Sequence, residues 1–209
     1  MKHLLYCSLL LLLTACTSVK QMTLLQGSTD QTQQPVYPEF VIESGDELHI
    51  AIQALSQEAA APFNTATNVY VVDPNGQIEL PNLGIFSMLG LTLNQVQETI
   101  AAKLQENLQK AFVTVSFHNA SIVILGEVNK PQRLGITKPI SIFEAIGAVN
   151  GLTTNARINA VEVLRNQNGQ VTKYRLDLSS SDVFQSPCYY LVKGDVVNVR
   201  PLHAVSSNK

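Results

Sequence analysis

Cys16 and Cys188, His49, His118 and His203, and Asp46, Asp73 and Asp195 are the side chains whose type and setting could carry chemistry. Cys16 ends the run Leu13-Thr14-Ala15-Cys16, whose Leu–small–small–Cys spacing resembles a bacterial lipobox. In such a motif the thiol becomes a diacylglycerol thioether and the chain is cut just before it. That cut removes Cys7 and leaves Cys188 without a partner, so no intrachain disulfide can form; Cys188 reads as a small buried hydrophobe. No two histidines share a metal-ligand spacing such as His-x-x-x-His, and Cys188 has no evident base beside it. Each of the three aspartates adjoins a Gly-containing turn, where Asp normally serves the backbone. The chain is therefore expected to be no enzyme and to hold no metal and no cofactor.

The leader that would deliver Cys16 is present. Met1-Lys2-His3 is basic, and Leu4 to Leu13 is an apolar run too short for a membrane span, which needs ~20 residues. Residues 1–15 thus read as a signal peptide. Thr17 follows Cys16, where Asp would favour inner-membrane retention in many Gram-negative bacteria, so an outer-membrane, periplasm-facing anchor is expected. Two or three acyl chains anchor stably where one binds marginally. Removing residues 1–15 takes Lys2 from the 14 basic residues and nothing from the 16 acidic ones, leaving 13 against 16, a net charge of −3. With no cluster of Lys or Arg, nucleic acid is not an expected partner. A hydrophobic share of 45% with 14% charged residues describes a chain that folds.

Residues 16–38, rich in Gln, Thr and Ser with Pro35 and Pro38, read as a flexible tether, in which Met22, Leu24 and Leu25 could dock. A first domain is expected over 39–118. Gly45-Asp46 makes a turn, and Leu48, Ile50 and Ile52 alternate as a half-buried strand. Ala54 to Thr67 is a loop or short helix. Asp73-Pro74-Asn75-Gly76 is turn chemistry, predicting that Val69–Val72 and Gln77–Leu80 pair across it as a hairpin. Thr92 and Gln95 form a capping box opening a helix with Leu93, Val96, Ile100, Leu104 and Leu108 on one face. A strand over 112–117 follows.

A second domain is expected over 119–201, with a short tail at 202–209. A strand ends at Gly126, Asn129-Lys130-Pro131 turns the chain, and Gln132 to Ile136 is extended again. Ser141 and Glu144 cap a short helix that Asn150-Gly151 stops. Ala160–Arg165 and Val171–Leu176 flank Asn166-Gln-Asn-Gly169 as a hairpin. Gly194-Asp195 turns into a last strand in which Val197 and Val199 face one way. The predicted class is α+β: a strand–hairpin–helix–strand unit, then a β-grasp-like domain.

Taken together, Ile42-Glu-Ser-Gly-Asp-Glu-Leu48, Val72-Asp-Pro-Asn-Gly-Gln-Ile-Glu-Leu-Pro-Asn-Leu-Gly84 and Gly90-Leu-Thr92 resemble the polysaccharide export module of the outer-membrane polysaccharide export family, the Wza-type proteins of capsule and exopolysaccharide secretion. Gly126-Glu-Val-Asn-Lys-Pro131, Glu144-Ala-Ile146, Asn150-Gly-Leu152, Leu164-Arg165, Gly194-Asp-Val196 and Arg200-Pro201 resemble its soluble-ligand-binding β-grasp (SLBB) domain. The resemblance covers residues 36–201 and the lipobox. It implies a ring-shaped periplasmic homo-oligomer, often an octamer, that passes a polysaccharide and docks on an inner-membrane polysaccharide copolymerase. Well-known members add further β-grasp domains and a C-terminal amphipathic helix that forms a pore. Here only residues 202–209 follow Pro201, so the expectation is that a separate outer-membrane β-barrel supplies the pore.

On this reading the turns Asn82-Leu83-Gly84 and Asn129-Lys130-Pro131 are candidate oligomer or partner contacts. Gly45, Asp46, Asp73, Gly76, Gly126, Gly151, Gly194 and Asp195 are structural turn residues. The lumen should be polar and bind weakly, as Gln/Asn-rich faces would. Two alternatives stand beside the conduit: a periplasmic glycan-binding lipoprotein, with Tyr70, Tyr174, Tyr189 and Tyr190 as stacking candidates, and a structural envelope lipoprotein. Ring assembly would favour the conduit; saturable glycan affinity of a monomer would favour the binder.

Overall fold

The computed structural model describes residues 23–25, 34–106, 108, 110–167 and 169–202; Cys16, Met22 and His203 lie outside them. In chain order the first domain holds β1 (Glu47–Gln53), α1 (Gln57–Ala60), β2 (Val69–Val71), β3 (Gln77–Leu80), β4 (Gly84–Ser87), α2 (Leu93–Leu104) and β5 (Phe112–Phe117). The second holds β6 (Ser121–Gly126), β7 (Gln132–Gly135), β8 (Ile140–Ser141), α3 (Ile142–Ala148), β9 (Val161–Gln167), β10 (Gln170–Leu176), β11 (Tyr190–Leu191) and β12 (Val196–Val199). The class is α+β, as the patterning predicts.

Alternation in β1 sends Leu48, Ile50 and Ile52 into the core. β1 is the middle strand of a sheet ordered β2-β1-β5, antiparallel on both sides. Because β2 reaches only as far as the His49↔Val69 pair, the rest of that edge lacks a strand. The Asn64 side chain takes its place: Oδ1 accepts from Ile52 N–H at 2.9 Å and Nδ2 donates to Ile52 O at 2.8 Å. α2 lays Val96, Ile100 and Leu104 against this core. Its capping box forms in full, with Thr92 Oγ1 accepting from Gln95 N–H and Gln95 Oε1 accepting from Thr92 N–H.

The hairpin expected across Asp73–Gly76 does not form. β2 pairs with β1, whereas β3 pairs with β4, from Gln77↔Ser87 to Leu80↔Gly84. Asp73–Gly76 remains a tight turn, because Asp73 Oδ1 accepts from Asn75 N–H at 2.9 Å and Gln77 N–H at 2.7 Å, but it joins two different sheets. The hairpin is closed instead around Asn82 (φ 57°) and Gly84 (φ 89°), in the left-handed region that Gly and Asn enter most readily. Turn chemistry marks where a chain reverses; it does not choose the partner strand.

In the second domain the sheet runs β10-β9-β12-β6-β7, with β12 parallel to β6 and antiparallel to β9. Val197 and Val199 of this central strand are fully buried. The β9–β10 strands run to Gln167 and from Gln170, further into the turn than Arg165 and Val171 predict. α3 packs Ile142, Ala145 and Ile146 into the core. Its capping box is complete, and the helix stops at Asn150 (φ 63°) and Gly151 (φ 83°), whose N–H donates back to Ile146 O at 2.9 Å.

Candidate functional site

Where the two domains meet, Lys193 leaves the turn before β12 and reaches the first domain. Its Nζ pairs with Asp46 and, at 3.2 Å, with Glu43, and lies 5.0 Å from the Phe117 ring centroid. Only 13% of the Lys193 side chain is exposed, so the cation is largely removed from water and has found two carboxylates and a ring face. Asp46 Oδ2 also accepts from Glu43 N–H at 2.7 Å, which fixes the Gly45 turn (φ 86°) around the lysine. Phe117 packs against both cores, and Phe40, from the first segment, is buried in the second core edge-on to it at 5.7 Å. Tyr37 adds an edge contact to Tyr190 at 4.9 Å and donates to Pro139 O at 3.2 Å.

The turn that carries Lys193 is held from beneath. Asp195, fully buried, accepts two bonds from the Arg165 guanidinium, at 2.8 and 2.7 Å, and one from Val192 N–H at 2.8 Å. Arg165 also donates from Nη1 to Pro187 O and from Nη2 to Tyr190 O. A buried ion pair bonded on this many sides fixes geometry more surely than it adds stability; removing one partner typically costs about 3–5 kcal/mol. Sequence reasoning found Asp195 through its Gly194 turn (φ 83°) but missed Arg165 as its partner and Lys193 altogether. Neither carries a local signal: Arg165 is 30 residues from Asp195, and Lys193 is 147 from Asp46.

The two candidate contact turns belong to different domains. Asn82 Nδ2 donates to Pro62 O at 2.6 Å and Leu83 is buried, while Ile85 and Leu89 beside them are 67% and 58% exposed. Asn129 N–H donates to Gly151 O and its Nδ2 to Asn150 O at 2.7 Å, while Lys130 N–H donates to Val149 O. That turn therefore clasps the end of α3, leaving Lys130 and Pro131 exposed. Two glycines are fixed by close approach. A Cβ on Gly76 (φ 77°) would lie 2.4 Å from Leu89 Cβ, and one on Gly126 (φ 86°) would lie 2.0 Å from Val199 O.

Of the residues considered for chemistry, His49 is half-buried in β1 and His118 is exposed just after β5. Among the described residues no group of three His, Cys, Asp or Glu could hold a metal ion. Cys188 is fully buried, and burial pushes its thiol up to about 11 against the partial relief of Arg165, so it stays protonated near neutrality. Tyr70 is buried; Tyr189 and Tyr190 pack edge-on at 4.9 Å. The arrangement holds surfaces in fixed relation.

A family model described as polysaccharide biosynthesis/export protein matches residues 34–118, and one for the SLBB domain matches 120–199. Among curated proteins, the chain is similar to the EPS I polysaccharide export outer membrane protein EpsA of Ralstonia nicotianae, 28% identical over 106 residues, covering 48% of this chain and 28% of that one. It is similar also to EpsA of Ralstonia solanacearum, 26% identical over 148 residues, covering 68% of this chain and 39% of that one. The chain thus aligns with well under half the length of these relatives.

Proposed function

This chain belongs to the polysaccharide export family, and we propose that it is a periplasm-facing, outer-membrane lipoprotein of a capsular or exopolysaccharide export conduit, forming a ring with copies of itself. The observation that carries this reading is the succession of an export module and an SLBB module over residues 34–199, clasped by Lys193 on Asp46, Glu43 and Phe117. Subunits that surround a passage must hold one angle between their domains, and a seam of this kind supports that. The outward face of α2 exposes the amides and hydroxyl of Asn94, Gln95, Gln97 and Thr99 around the Glu98 carboxylate, a polar surface over which a hydrated polymer can slide. The relatives' names support the outer membrane and an exopolysaccharide cargo. An inner-membrane copolymerase is the partner proposed for the opposite end.

The test is the mass of the mature, acylated protein extracted in mild detergent. A discrete ring-sized oligomer, with export lost on deletion of the gene, is the expected result; a monomer that binds glycan saturably, with export intact in the deletion, would overturn it. Gly84→Val probes the contact turn within the same assay. A Cβ at Gly84 meets nothing within 4 Å, so the substitution acts through φ (+89°) alone, at a cost of ~1–3 kcal/mol. We expect a folded protein with a distorted Asn82–Gly84 turn and impaired assembly; wild-type oligomer size and secretion would remove this turn from the interface.

A further inference from the structure

Within the stretch that reads as tether, Leu24 and Leu25 are seated on the second domain. Leu25 N–H donates to Leu178 O at 3.0 Å. Leu24 forms one wall of a cavity of about 190 Å3, facing Ile146, Gly151, Leu152, Thr153, Ala156 and Ile158. Apart from Thr153 that lining is aliphatic or glycine, the setting a leucine side chain prefers to water. The far end of the stretch lands on the same domain, through Tyr37 on Tyr190 and Pro139. Leu24 and Leu25 stay 39% and 43% exposed, so the contact is a surface clip and the fold does not depend on it.

Reach decides what such a clip does. An extended chain spans at most ~3.3–3.6 Å per residue, so the seven steps from Cys16 to Thr23 cover roughly 25 Å, against roughly 75 Å for the twenty-one steps to Tyr37. A domain of about 80 residues has a radius of gyration of roughly 12 Å and is some 30 Å across. The longer leash would let either domain face the membrane; the shorter one cannot pass around the domain it is clipped to. We propose that residues 23–25 are a docking peptide that clips the tether to this slot and holds the second domain, with the first beyond it, against the lipid surface. The membrane half of the proposal rests on acylation of Cys16, as in the proposed function; the clip itself does not.

The experiment uses the full mature protein in phosphatidylethanolamine/phosphatidylglycerol vesicles, with mass spectrometry reading acylation of Cys16. Leu24→Cys with Leu152→Cys, treated with a short bismaleimide, should give a monomer-sized product whose digest joins the two positions; buried Cys188 does not compete. No product, or a product joining two chains, would overturn the clip within one chain. A fluorophore at Asn159→Cys should transfer to a headgroup-labelled lipid more strongly than one at Gln57→Cys, and Leu24→Asp/Leu25→Asp should abolish that difference with the circular dichroism unchanged. Equal transfer from both positions in the acylated protein would overturn the orientation. An unmodified Cys16 would overturn the lipoprotein reading and the membrane half with it, while the crosslink would still decide the clip.

Discussion

Gly126 and Gly45 hold the same φ, 86°, in different surroundings: a Cβ at Gly126 runs into Val199 O at 2.0 Å, whereas at Gly45 it meets open space. Alanine at either site bears the same left-handed strain, so their difference isolates the close approach of β6 and β12. We expect Gly126→Ala to be less stable than Gly45→Ala by about 1–3 kcal/mol in urea unfolding, the usual range for overpacking. Equal losses would mean that the sheet yields at this point without cost. Residues of this kind were legible in the sequence as turn formers, because Gly and Asp act on their own neighbours. What they support across the molecule was not: nothing near Gly126 announces Val199, and nothing near Asp195 announces Arg165.

Elements bounded by local chemistry were read well, and those bounded by pairing were not. Both capping boxes stand where Thr92–Gln95 and Ser141–Glu144 place them, since a cap involves only residues three apart. The Asp73–Gly76 hairpin failed because β2 prefers the exposed flank of β1 to β3, a choice made through burial of Tyr70 and Val72 in a core assembled from distant segments. The second capping box makes a pH prediction. The Ser141 backbone N–H and then its hydroxyl hold the Glu144 carboxyl below its ordinary range, with burial opposing them and Lys138 adding to the effect. A depressed carboxylate contributes its full stability above the unfolded value, ~4.3, and loses it as pH falls through the folded value. The melting-temperature gap between wild type and Glu144→Gln should therefore be complete at neutral pH and close on acidification. No gap at neutral pH would assign the cap to the serine alone.

At the scale of the whole molecule, two cores meet at Phe117 and are fastened by one lysine. Lys193→Met keeps most of the hydrocarbon over the ring and removes the charge from Asp46 and Glu43. It should cost about 1.5–3 kcal/mol, the range for hydrogen bonds to charged groups, and split one calorimetric transition into two. A single transition at the wild-type temperature would show that the aromatic contacts of Tyr37, Phe40 and Phe117 suffice. The sheet order of the second domain has a further consequence, for synthesis. β12 is the strand between β9 and β6, so before residue 199 has been made the sheet is two separate hairpins, β6–β7 and β9–β10, each with an unpaired inner edge. A nascent chain can settle the first domain while the second waits for its keystone. A polypeptide cut short before Val196 would carry exposed strand edges that proteases and aggregation act on, which couples completion of the chain to survival of the product.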